Sequence, residues 1–152
     1  MKNIIKKTFF IGLILFLLMQ LYQPARNESY GQVNTADFTK VYQVPKNVAT
    51  ILHTSCYDCH SNNTNYPLYS YIQPVRFFME SHIKEGKENL NFNEWGNYST
   101  RRQNNKLDRI EKQIKSNEMP LSSYTLIHKN AILNNTQKEE IIKWINTLNK
   151  DE

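Results

Sequence analysis

Residues 56–60 read Cys56-Tyr57-Asp58-Cys59-His60, CYDCH, and they contain both cysteines of the 152-residue chain. Thiols three residues apart lie about one helical turn from each other and share a face. An imidazole follows immediately. Three chemistries use two cysteines at this spacing, and the surrounding sequence weighs on each.

A thioredoxin-type redox pair belongs in a βαβ setting, whereas every strong pattern here is helical. A zinc site would take Cys56 and Cys59 with His82 and His128 as distant partners, yet a tetrahedral site normally has a second tight ligand pair. A plain local disulfide is the structural alternative. The third chemistry is covalent haem attachment, for which C-x-x-C-H is the signature. Thiols one turn apart reach two vinyl groups of a porphyrin, and the next residue aims its imidazole at the iron.

The N-terminus agrees with export. Lys2, Lys6 and Lys7 precede the apolar run FFIGLILFLL at 9–18, the pattern of a basic region followed by an apolar core. No A-x-A-like cleavage site follows, which favours an uncleaved signal anchor over a signal peptide in residues 1–22. The run is short for the ~20 residues a bilayer needs. The lysines would leave the domain outside the cytoplasm, with membrane lipid as a partner of the anchor. Chain length and 39% hydrophobic residues fit one small domain. Much of the net charge of +5 sits in this N-terminal segment, so the basic balance is no sign of nucleic-acid binding.

Residues 23–44 lack sustained periodicity and read as a linker, with the folded domain at 45–150. Pro45 opens a helical pattern through Val48, Ile51 and Leu52. Pro74 opens another, in which Val75, Phe78, Met79, His82 and Ile83 share a face and Gly86 is a natural stop. Leu107, Ile110 and Ile114 mark a third. Thr136 with Glu139 suggests a capping box ahead of a stripe of Ile141, Trp144, Ile145 and Leu148. The expectation is an all-α domain with long loops at 61–73, 87–99 and 119–135. Four N-x-S/T sequons, at Asn27, Asn62, Asn97 and Asn134, are read as chance matches in an asparagine-rich chain.

Taken together, CYDCHSNNTNYPLYSYIQPV, the HIKEGKENLNFNEW stretch and a late MPLSSY before a capped helix resemble c-type cytochromes, and more closely the small membrane-anchored bacterial haem-binding domains with one such motif. The resemblance runs from about Pro45 to Trp144. It implies one covalently attached haem c on Cys56 and Cys59, with His60 as proximal ligand. It also implies a cytochrome c-like helical fold and single-electron transfer at the outer face of the cytoplasmic membrane, between redox proteins that the sequence does not identify. No enzymatic role is expected, since dihaem peroxidases carry two attachment motifs and this chain has one.

The second axial ligand decides the class of function. Met119 is the leading candidate, because Pro120 disfavours helical geometry at the residue before it, which hands the thioether to a loop. Its alternative is a place in the core. His82 is the alternative distal ligand, His128 a further one, and His53 lies too close to Cys56. An open sixth position would instead make a haem-based sensor or gas-binding module. In cytochromes c a proline carbonyl often holds the proximal imidazole, which points to Pro67 or Pro74. Leu52, Tyr66, Tyr69, Phe78, Trp95, Ile114 and Trp144 are candidate cavity walls. Arg76, Trp95 and Tyr124 are candidate donors to the haem carboxylates.

Overall fold

A computed structural model describes residues 1–30 and 36–148, and no strand occurs among the described residues. Eight α-helices follow in order: α1 (Lys2–Met19), α2 (Phe38–Val41), α3 (Lys46–Ser55), α4 (Tyr57–His60), α5 (Val75–Asn89), α6 (Thr100–Lys115), α7 (Ser122–Thr125) and α8 (Asn135–Leu148). Short 3₁₀ turns at Leu68–Tyr71, Phe92–Asn97 and Lys129–Ala131 break up the long loops. The all-α expectation holds.

Three of the expected faces form the core. Val48, Ile51 and Leu52 of α3, Leu107 and Ile114 of α6, and Ile141, Trp144 and Ile145 of α8 are buried together. Their spacing of three and four residues places each set on one stripe of its helix. At the centre stands Phe38, whose ring meets Trp95 at 4.6 Å, Phe92 at 5.2 Å and Trp144 at 5.4 Å, all edge to face. That geometry sets the positive edge of one ring against the negative face of the next.

Phe38 also corrects the reading of 23–44 as a linker. It is 1% exposed, and Gln23 and Pro24 accept hydrogen bonds from the guanidinium of Arg76. A segment without periodicity is here held by single anchoring contacts instead of by one face. Residues 31–35 of that segment, and 149–150 at the expected end of the domain, lie outside the described residues.

The face of α5 is a second correction. Arg76 and Ile83 are its buried residues, while Val75, Phe77 and Phe78 are between 40% and 59% exposed. The acceptors offered by Gln23 and Pro24 draw Arg76 inward, and of the expected stripe Ile83 is buried while Val75 and Phe78 face outward. The cap of α8 is shifted as well: the Gln137 backbone N–H donates to Asn134 Oδ1 at 2.9 Å, and the Asn134 N–H donates to Gln137 Oε1 at 3.0 Å. That is a capping box two residues earlier than Thr136 and Glu139.

The expected membrane-spanning anchor is not supported. No helix among the described residues is long and apolar enough to cross a membrane. α1 has 18 residues, but Lys2, Lys6 and Lys7 occupy its start. The apolar remainder at 8–19 extends about 18 Å at 1.5 Å per residue, against a hydrocarbon core of ~30 Å.

A buried polar chain ties the core to the cysteine motif. Asp37 caps α2 by accepting from the Thr39 N–H at 2.8 Å, and its other oxygen accepts from Asn93 Nδ2 at 2.6 Å. Asn93 Oδ1 accepts from the Asn62 N–H at 2.6 Å, and Asn62 Oδ1 accepts from Asn91 Nδ2 at 2.7 Å. The backbone just after His60 is thereby held to the loop that follows α5.

Candidate functional site

CYDCH forms a single helical turn. Cys56 breaks from α3 and its carbonyl accepts the N–H groups of Cys59 at 3.2 Å and His60 at 3.0 Å. Both thiols are free and both line one cavity, of about 330 Å³, together with His60. Burial pushes the Cys56 thiol up to about 12, with the Cys59 sulfur adding to the effect, and burial with Asp58 pushes Cys59 up to about 11. Reactive dithiol pairs need the opposite shift, toward the thiolate. Among the described residues no three His, Cys, Asp or Glu side chains stand together as a metal site, so the zinc ligand set does not assemble.

The orientation of His60 follows from its partners. Nδ1 lies 2.9 Å from the Gly86 carbonyl and 3.0 Å from the Leu90 carbonyl. Carbonyls only accept, so Nδ1 carries the proton and Nε2 keeps a lone pair. Burial lowers the His60 pKa against the opposing pull of the two carbonyls, which keeps the ring neutral and fit to ligate. The carbonyls come from the end of α5 and the residue after it, and not from Pro67 or Pro74. The Gly86 carbonyl also accepts the Leu90 N–H at 2.8 Å, so its second lone pair, with the Leu90 carbonyl just past the helix, is what His60 uses.

Gly86 has a role that differs from the expected stop. α5 continues to Asn89, and a Cβ at residue 86 would stand 2.7 Å from the Cys59 carbonyl oxygen and 3.3 Å from its Cβ. Only a glycine lets α5 approach α4 so closely, and the approach brings the Gly86 carbonyl to His60. Gly86→Ala is therefore expected to destabilise the fold by roughly 1–3 kcal/mol through overpacking, in spite of alanine's better helix propensity. Thermal unfolding checks it; a variant at least as stable as the wild type would show that the approach is not needed.

Met119 lines the same cavity, half-buried, and so does His82, which is exposed on α5. Here α6 stops before Pro120 is reached. Asn117 adopts φ 60°, in the left-handed region, and the N–H groups of Glu118 and Met119 both donate to the Gln113 carbonyl. This is a left-handed helix stop built on asparagine. Ile110, Ile114, Pro120 and Leu121 supply apolar wall to the same cavity.

Other expectations fall away from the cavity. Of the candidate walls Ile114 lines it, while Leu52, Trp95 and Trp144 belong to the core and Phe78 faces outward. Tyr66 receives the Asn27 N–H, and Tyr69 pairs with His128. His53 packs on the Tyr57 ring at 3.9 Å. Of the candidate carboxylate donors, Tyr124 reaches the cavity and its hydroxyl donates a hydrogen bond to Asp58 Oδ2 at 2.6 Å, Arg76 is spent on Gln23 and Pro24, and Trp95 is fully buried. Lys106 and Arg109 of α6 line the cavity unforeseen. Their positions beside Leu107 and Ile110 on the third apolar stripe were the available signal.

A family model described as a haem-binding domain matches residues 14–147. No curated protein and no solved structure matches the chain.

Proposed function

Because the chain belongs to the haem-binding domain family, we propose that it carries one haem c, bound through Cys56 and Cys59 with His60 as proximal ligand, and passes single electrons between redox proteins outside the cytoplasm. The carrying observation is the His60 ring, whose Nδ1 is taken by two carbonyls while the residue lines the same cavity as both thiols. The donor set fits an iron porphyrin: two thiols, one neutral imidazole and one thioether around a largely apolar cavity within the size range of cofactor pockets. Each S–H adds across one vinyl C=C, sulfur to one carbon and hydrogen to the other, so two thioethers form without any oxidant. The bound haem supplies the one-electron redox chemistry.

The residues of the chain do the rest. His60 donates through Nδ1 to the Gly86 and Leu90 carbonyls, which fixes the ring and makes Nε2 a better donor. Met119 is proposed as the distal ligand, since it is half-buried in apolar wall and borne by a different element from the one that supports His60. His82, exposed and on α5 itself, is the alternative. No catalytic step is assigned to the chain. The basic start and apolar core of the first 22 residues fit an export signal, which is the compartment that thioether attachment requires. A gas-binding module is the rival reading and needs an open sixth position.

Mass spectrometry of the purified protein after acid extraction tests attachment. The chain is expected to be heavier by one haem. Haem that leaves on denaturation, with two free thiols behind, would sink covalent attachment while leaving haem binding intact.

A further inference from the structure

Among the described residues no carboxylate forms an ion pair with the cations of the cavity. Arg109 and Lys106 stand three residues apart on α6 and both line the cavity, with Arg102 one turn further back on the same helix. Like charges at such spacings destabilise a helix. No salt bridge among the described residues offsets them. Lys106 donates to the Asn89 carbonyl at 2.6 Å and lies 4.4 Å over the Tyr98 ring, which holds its ammonium at the cavity. Burial and the two neighbouring arginines lower its pKa, the response of a cation placed where an anion would relieve it.

The negative groups around the cavity lie elsewhere. Asp58, between the two cysteines, accepts from the Tyr124 hydroxyl at 2.6 Å and the Asn65 N–H at 3.1 Å, and is satisfied. Glu85, near His82 on α5, is the other carboxylate of the lining. An anionic ligand edge is repelled from the α4 and α5 sides and attracted to α6.

A porphyrin of the haem type has its two vinyl groups on one part of its rim and its two carboxylates on the part remote from them. We propose that Arg109 and Lys106 bind the two porphyrin carboxylates, so that α4 holds the vinyl edge by covalent bonds, α6 holds the carboxylate edge by charge, and the macrocycle has a single orientation. The inference rests on the haem reading above. Charge-assisted contacts of this kind are also directional, arginine being able to engage a carboxylate with two N–H groups at once.

The test is a pH titration of the haem carboxylates in the holoprotein, read by carbon-13 NMR of haem labelled at its carboxyl carbons. Paired cations favour the ionised form, so wild-type carboxylates are expected to bind protons about tenfold more weakly than those of the Lys106→Gln/Arg109→Gln variant. Arg109→Lys is expected to retain most of the effect. Arg101→Gln, on α6 but away from the cavity, is expected to leave the titration unchanged. Identical titration in wild type and double variant overturns the proposal. So do wild-type carboxylates that already titrate like free ones, a result that needs no variant to fold. A wild-type chain without any haem would instead bring down the haem reading itself, and the clamp with it.

Discussion

His60→Ala is expected to lose the low-spin haem spectrum, with stably loaded protein falling roughly a hundredfold or more. Removing a residue that merely orients a metal ligand already costs 10–100-fold in affinity, by general experience with such sites, and here the ligand itself goes. The loss has a second part. Without the ring, the Leu90 carbonyl loses its His60 donor and the Gly86 carbonyl is left with the Leu90 N–H alone, a lost hydrogen bond of this kind costing roughly 0.5–1.5 kcal/mol. Free imidazole added to the variant would refill the space and restore part of the low-spin spectrum, which separates loss of a ligand from loss of the fold. An unchanged low-spin spectrum in His60→Ala would mean that another histidine holds the iron.

Met119→Ala is expected to turn a six-coordinate haem into a five-coordinate one that binds carbon monoxide when reduced, and to lower the reduction potential. A thioether favours the ferrous state relative to imidazole or water, so its loss favours the ferric state. The cavity that Met119 lines together with Ile110, Ile114 and Leu121 would also be wider. The near-infrared sulfur-to-iron band of the wild type should vanish with the substitution. Absence of that band in the wild type, together with a high-spin His82→Ala, would assign the distal bond to His82. Ready carbon monoxide binding by the unmodified protein would move the function from electron carrier to gas-binding module.

What was legible from sequence was whatever depends on neighbours within a turn or two. The C-x-x-C-H spacing is local, because Cys56, Cys59 and His60 belong to one helical turn in which the Cys56 carbonyl accepts the N–H groups of both Cys59 and His60. The stripes of α3, α6 and α8 were legible for the same reason, since a period of three and four needs only one helix to be seen. The stop before Met119 was foreseen but credited to Pro120, when the left-handed Asn117 and the Gln113 carbonyl make it.

What only the tertiary structure decided was every pairing between elements. His60 and its acceptors are 26 and 30 residues apart, and no local pattern marks Gly86 and Leu90 as the carbonyls that end up beside the ring. Gly86 reads as a helix stop until α4 lies against α5, when the missing Cβ becomes the condition for contact with Cys59. The same holds for α5 itself, where Val75, Phe77 and Phe78 face outward while Arg76, satisfied by Gln23 and Pro24, shares the inner side with Ile83. Lys106 and Arg109 look like ordinary surface charge in sequence, and become part of a site only because Leu107 and Ile114 bury the adjoining face of α6 and turn them toward the cavity. A helix's period determines which residues share a face, but the complementary groups that other segments present determine which face is buried and against what.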